Sequence, residues 1–289
     1  MLLIGTSGFS YADWKDRFYP PAISDRDMLA FYSQYFPACE INFSYYRIPD
    51  PAHTAAMVRK SGRRVTFVVK AHQTMTHTRD AGPAEYGAFN LGVKPMLEAG
   101  VLGGILAQFP YSFSNNLNHR TYLADLKARL GQDTSLIVEF RHHTWNRPDV
   151  FELLHKLSLS YVNVDEPALK ELLPATSRVT GPVGYVRFHG RNRATWFKKN
   201  IESWERYNYL YSEDELREWV PRIRQVAGEA QTTFVFFNNH WQSQAVTNAR
   251  QMAELLECRL PETCATDLPE EFQRPSESGR WEQPQRELF

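Results

Sequence analysis

Val65-Thr66-Phe67-Val68-Val69-Lys70 and Thr232-Thr233-Phe234-Val235-Phe236-Phe237-Asn238 are the stretches on which the fold turns. Both are short, rich in β-branched and aromatic residues, and nearly free of polar alternation. A strand with one face in water alternates apolar with polar residues. A run that is apolar throughout is covered on both faces, as a parallel strand under helices is. Six more segments read the same way: Leu2–Thr6, Ala38–Asn42, Gly104–Phe109, Ser135–Arg141, Tyr161–Asp165 and Val183–His189. Their starts recur about every 33 residues, the length of a βαβ unit.

The intervening stretches carry helical signals. Ser24 reads as an N-cap ahead of Asp25 and Asp27, with Met28, Tyr32, Tyr35 and Phe36 on one stripe. Ser212-Glu213-Asp214-Glu215 is a capping box that opens onto Leu216, Trp219, Val220 and Ile223, and Pro221 predicts a kink or a second start there. Further helices are expected over Ala124–Leu130 (with Gly131 as C-cap) and Val150–Leu157. One turn or two is expected over Leu169–Leu173, and a closing helix carries Val246, Ala249, Met252 and Leu256. Eight such units predict an α/β fold, a single (β/α)8 TIM-type barrel over residues 1–260. A doubly wound open sheet is the alternative, but no GxGxxG or GxxxxGK[ST] follows any predicted strand. Residues 261–289, dominated by Pro, Glu, Ser, Gln and Arg, read as an extended or partly disordered C-terminal tail.

Composition narrows the function. With 33 basic and 33 acidic side chains among 289 residues, the formal charge is zero, which argues against a coat for nucleic acid or an anionic membrane. No stretch approaches the apolar length of a membrane span, and the first residues lack the basic start of a signal peptide. Three cysteines without CxxC spacing point to neither a disulfide framework nor a zinc knot, so the cytoplasm is the expected location. Aromatic content is high, at 13%.

In a parallel barrel the active site lies at the C-terminal ends of the strands. Those ends carry Thr6 and Ser7; Glu40 and Asn42; Lys70 and His72; Gln108; Glu139, Arg141, His142 and His143; Asn163, Asp165 and Glu166; Arg187 and His189; and Asn238, Asn239 and His240. Side chains two apart share a face, which pairs Glu40 with Asn42, Lys70 with His72, Glu139 with Arg141, Asn163 with Asp165 and Arg187 with His189. A girdle of mutually neutralising ion pairs explains any one of these residues. A pocket explains the whole ring better, because burying so many charges only to cancel one another is energetically poor. Trp14, Trp145, Trp196, Trp204 and Trp241 also follow predicted strands, as does Tyr11. Packing under loops is the plain role for Trp14 and Tyr209; around a charged mouth the remaining rings make walls for a sugar, a base or a phosphorylated metabolite.

Several of these stretches resemble the YecE-like family (domain of unknown function 72). They are Gly5-Thr6-Ser7-Gly8-Phe9-Ser10-Tyr11 with Trp14, Glu40-Ile41-Asn42-Phe43-Ser44-Tyr45-Tyr46-Arg47-Ile48-Pro49, Lys70-Ala71 with Thr76-His77, and Gln108-Phe109-Pro110. The likeness continues through Val138-Glu139-Phe140-Arg141-His142 with Trp145, Val164-Asp165-Glu166-Pro167, Tyr185-Val186-Arg187-Phe188-His189-Gly190-Arg191, Tyr209-Leu210-Tyr211-Ser212 and Phe237-Asn238-Asn239-His240. It spans about residues 1–256 in order, with Phe9 in place of an expected Trp. The resemblance implies a TIM-type barrel and names no reaction.

Three functional readings follow from the residues. The first is an enzyme without cofactor that applies acid–base chemistry to a small anionic carbohydrate- or nucleotide-like substrate. Glu139, His189 and Glu40 would be catalytic, and Lys70, Arg141, Arg187, Asn42, Gln108, Asp165, Asn238, Tyr11, Trp145 and Trp196 would bind substrate. The second is a divalent-metal-dependent phosphodiesterase or isomerase with ligands among Glu40, Glu139, Asp165, His189 and His240, although no HxH or HExxH spacing supports it. The third is a non-catalytic barrel that grips a ligand or nucleic acid through Arg187, Arg191, Arg193, Lys198 and Lys199 with Trp196 and Phe197. A solvated loop explains that basic run more simply.

Overall fold

The computed structural model describes residues 1–130, 133–198 and 200–261. Eight parallel strands close into a barrel in sequence order, each hydrogen-bonded to its neighbours in the chain and β8 to β1. They are β1 Leu2–Ser7, β2 Ala38–Ile41, β3 Thr66–Lys70, β4 Leu102–Gln108, β5 Leu136–Glu139, β6 Ser160–Asp165, β7 Val183–Phe188 and β8 Thr232–Phe237. The helices are α1 Met28–Tyr32, α2 Pro51–Lys60, α3 Gln73–Thr76, α4 Pro83–Glu98, α5 Leu117–Arg129, α6 Pro148–Lys156, α7 Ser203–Tyr207, α8 Glu213–Arg217, α9 Val220–Glu229 and α10 Gln244–Leu255. The predicted barrel is therefore the observed one. The expected C-cap at Gly131 and the expected tail, apart from residue 261, lie outside the described residues. Among the described residues no helix is long and apolar enough to cross a membrane.

Local chemistry sets most boundaries. The Asp50 side chain accepts from the amides of Ala52 and His53 and Pro51 follows it, so α2 starts there. Ser212 and Glu215 close the expected capping box of α8, and Pro221 sits in the first turn of α9, so it starts a second helix instead of kinking the first. Ser24 is not the cap of α1: it donates to the Asp27 carboxylate at 2.6 Å in the turn before the helix, which begins at Met28.

Two departures matter for the site. The segment between β6 and β7 has no helix; of the one or two turns expected over Leu169–Leu173 a single turn forms, closed by the Leu172 amide on the Leu169 carbonyl at 3.0 Å. Asn163 holds this segment instead: its carbonyl accepts from Thr176 Oγ1 and the Arg178 amide, and its amide donates to the Arg178 carbonyl, which keeps the chain extended against the strand. The second departure is in β4, where Gly103 is an extra residue in the ladder with β3. A Cβ on Gly103 would lie 2.4 Å from the Phe234 ring inside the barrel, so the bulge fits only glycine. Beyond the bulge Ile105 faces the helices and Gln108 opens at the mouth.

Candidate functional site

The strand ends assemble two tiers of charge above an aromatic floor formed by Phe234 and Phe236. The inner tier is centred on Arg187, which the alternation of β7 turns inward together with Tyr185 and His189. Its Nη2 donates to Glu40 Oε1 at 2.6 Å and its Nη1 to Glu139 Oε2 at 2.9 Å. Tyr185 donates to the other oxygen of Glu40 at 2.7 Å. Arg187 is 2% exposed and both carboxylates are fully buried. Three strands, β2, β5 and β7, are thus tied across the barrel by one guanidinium. Burial acts to raise the Glu139 carboxyl, but Arg141 and Arg187 outweigh it and hold the group well below the carboxylate range. Glu139 is a permanent anion at neutral pH and a weak base.

His189 completes this tier. The Asn238 amide lies 3.2 Å from Nδ1, and with that amide as donor the ring proton sits on Nε2, 3.2 Å from Glu139 Oε1. The contact is too poorly aligned to count as a hydrogen bond, and both atoms are buried without one. Burial, helped by Arg141, lowers the imidazole to about 3, so His189 is neutral and is a donor aimed inward. Gly190 follows with φ +92°, donates to the Tyr211 hydroxyl, and turns the chain out of the barrel.

The rim lies above. Arg141 bridges Glu139 (2.7 Å) and Glu166 (2.9 Å), and its guanidinium lies under the Trp196 ring, 5.6 Å from the centroid. Burial pushes the Glu166 carboxyl up to about 7, against the opposing pull of Arg141. Lys70 ends β3 half-buried, its Nζ 4.6 Å over the Tyr45 ring. Among the described residues no carboxylate lies within ion-pair distance of it. Burial first, then the field of Arg187, brings the amine down to about 7. His77 packs edge-on against Tyr45 and is lowered to about 4 by burial and by Lys70. A cleft of about 620 Å³ opens over this rim, lined by His77, Gln108, Arg141, Trp196, Arg206 and Tyr207, with Tyr111 and Phe197 at its lip. No carboxylate is among its lining residues.

Of the residues singled out in the sequence, the structure brings Glu40, Glu139, Arg141, Arg187, His189 and Asn238 into one network, and places Lys70, Gln108 and Trp196 at the same mouth. Tyr11 stands beside them as a wall: its ring stacks on His240 at 4.6 Å and its hydroxyl donates to the Ser7 carbonyl. Three residues are not placed as expected. Asp165 points away from the barrel, where Tyr211, Trp219 and Arg191 take its carboxylate, because the shared face of Asn163 and Asp165 is the outer one. Trp145 is fully buried between Phe140 and Phe113 and donates to the Phe113 carbonyl, so it packs a loop. Asn42 lies beyond the end of β2 in a helical conformation, so alternation with Glu40 does not apply, and its Oδ1 is buried without a hydrogen bond.

The structure also adds residues that sequence reasoning passed over. Tyr185 was findable, two positions before Arg187 on one strand face. Of the two adjacent strand-end acids it is Glu166, not Asp165, that pairs with Arg141. Tyr207, one of the aromatic residues that the sequence gathers in the stretch after the seventh strand, arrives from α7. The carboxylate oxygens that a divalent cation would need are held by Arg187 and Arg141, and among the described residues no group of three His, Cys, Asp or Glu side chains is arranged to hold a metal. In the basic run, Arg187 is interior and Arg191 is bound by Asp165, Glu215 and Glu218, so among its described residues only Arg193 and Lys198 are exposed cations.

Comparison with known proteins agrees with this architecture. The family model described as "Protein of unknown function DUF72" matches residues 3–273. The UPF0759 protein YunF of Bacillus subtilis (strain 168) is 32% identical over 276 residues, covering 89% of this chain and 95% of that protein. Among solved structures, a DUF72 family protein from Thermotoga maritima MSB8 superposes with a TM-score of 0.81 at 36% identity, covering 89% of this chain and 99% of the other. Another, from Enterococcus faecalis V583, gives 0.80 at 25% identity, covering 91% and 98%.

Proposed function

This chain belongs to the DUF72 family, and we propose that its barrel mouth is the active site of an enzyme that performs acid–base chemistry on a small anionic substrate. The observation that carries the reading is the unequal pairing of the cations. Arg187 spends both terminal nitrogens on Glu40 and Glu139, whereas Lys70 faces the mouth with no carboxylate partner among the described residues, beside a cleft lined by Arg141 and Arg206. A cleft walled by guanidinium and aromatic groups, without carboxylates, favours an anionic compound with an apolar face.

The roles assigned from the sequence shift accordingly. Glu139 and Glu40 hold Arg187 and Arg141 in place and supply the negative field of the floor. His189 offers its Nε2 proton toward developing negative charge. Proton transfer falls to Lys70, brought down to about 7 so that it exchanges a proton near neutral pH, while Glu166, buried and raised to about 7, buttresses Arg141 from behind. Arg141, with donors left over and Trp196 above it, orients the substrate anion. The free thiols Cys39 and Cys258 suit a reducing compartment, which supports the cytoplasm as the place of action.

The test is a metabolite screen. Purified protein is incubated with a mixture of carboxylated and phosphorylated metabolites, and consumption is followed by mass spectrometry. An anionic compound should be consumed by the wild type, and Lys70→Met should lower the rate by about 100-fold or more. Equal consumption by Lys70→Met, or consumption of uncharged compounds alone, overturns the reading.

A further inference from the structure

We infer that Lys70 is a covalent nucleophile, forming an imine with the carbonyl carbon of a small oxo acid or anionic aldehyde held at the barrel mouth. This rests on the reading of the mouth as an anion-binding active site and narrows its substrate class to carbonyl compounds.

The geometry that supports it is specific to this side chain. Lys70 is the last residue of β3 and shares the inward face of Thr66 and Val68, so its amine lies inside the barrel at the strand ends, where barrel enzymes carry their chemistry. The stem is fixed at its base: the Lys70 carbonyl accepts from the Ser44 hydroxyl at 2.6 Å. The groups that act on the amine come from several elements: Arg187 from β7, Arg141 beyond β5, Glu40 from β2 and Glu139 from β5. The two carboxylates are occupied by the two arginines, so the amine is left beside cations that do not pair with it and under partial burial. A lysine so placed, desolvated and next to other cations, is held as the neutral amine, which is the nucleophilic form. Its lowering to about 7 agrees with that placement.

The chemistry balances without an oxidant or reductant. The Nζ lone pair forms a bond to the carbonyl carbon while the π electrons move to oxygen, which takes a proton and gives a carbinolamine. Nitrogen releases one proton, the hydroxyl takes another and leaves as water, and a C=N bond remains. Hydrolysis reverses each step. Water at the open mouth supplies the proton that the hydroxyl takes. The substrate's own anion, set on Arg141, fixes which carbon faces Lys70.

The experiment treats full-length protein with glyoxylate or pyruvate in the presence of sodium borohydride, reads intact mass, and maps the modified residue by peptide mass spectrometry. One reduced adduct is expected, at Lys70. It should form near pH 7 on the order of a hundredfold faster than at solvent-exposed lysines, because far more of this amine is neutral there. Its rate should rise with pH and level off above about 7. The adduct should vanish in Lys70→Arg; mapping on the wild-type chain gives the answer even where that variant folds poorly. Absence of an adduct at Lys70, while glyoxylate still raises the melting temperature of the wild type and not of Arg141→Ala, overturns the covalent proposal and leaves the anion site standing. Absence of both overturns both.

Discussion

The inner tier around Arg187 and the rim around Lys70 are built from the same residue types yet are wired in opposite ways. In the inner tier one guanidinium meets two carboxylates and a tyrosine closes the second oxygen of Glu40, all essentially out of solvent. On the rim an amine without a carboxylate partner among the described residues sits on a tyrosine ring, and a glutamic acid carries its proton up to about 7. A buried charge that is fully paired does no exchange with its surroundings; it ties strands together. A charge left half-paired at the edge of water is the one that a ligand can complete. Structural and chemical duties are thus divided by height in the barrel.

The sharpest way to break this division is Arg187→Met. It leaves Glu40 buried with only the Tyr185 hydroxyl and Glu139 with only Arg141, and urea unfolding should show a loss of about 3–5 kcal/mol. Were stability unchanged, the inner tier would not be the structural one.

The pH dependence of stability separates the tiers next. The folded-state pKa of Glu166 is raised above its ordinary value, so the stability its protonated form contributes is fully present below about 4.5 and is lost as pH rises through about 7. That loss amounts to up to about 3 kcal/mol. Denaturant midpoints compared at about pH 5 and pH 8 should fall for the wild type and stay level for Glu166→Gln, apart from other titrating groups common to both.

Tyr185→Phe removes one hydrogen bond to a buried carboxylate and should cost about 1.5–3 kcal/mol, measured by the same unfolding curves and without effect on borohydride trapping at Lys70. The smallest effect is expected from Trp196→Ala. The ring caps Arg141 and is one wall of the cleft, so anion affinity read by calorimetry should weaken by about 1 kcal/mol while stability hardly moves.

Much of this was legible in the sequence, for reasons that also explain what was not. The eight apolar runs showed the barrel because parallel strands are covered on both faces. That same double burial is why alternation paired Asn163 with Asp165 correctly and could not say which face they share: outward and inward positions are equally apolar in such strands, and the outward carboxylate is satisfied by Tyr211, Trp219 and Arg191. Alternation also fails one residue past a strand end, as Asn42 shows, since a helical turn rotates the side chain off the shared face. Trp145 and Trp196 look alike in sequence, each in the loop after a strand; one stacks into the loop core and the other over Arg141.

By itself the sequence determined the barrel, the strand ends that line its mouth, and the acidic and basic residues that meet there, because these depend on local periodicity and order along the chain. Only the tertiary structure decided which of those charges are consumed by one another. Arg187, Glu40 and Glu139 lie on strands far apart in sequence, and their pairing depends on distances across the closed barrel. What it left over, an amine at the rim that no described carboxylate pairs, is a property of the assembled mouth and of no single segment.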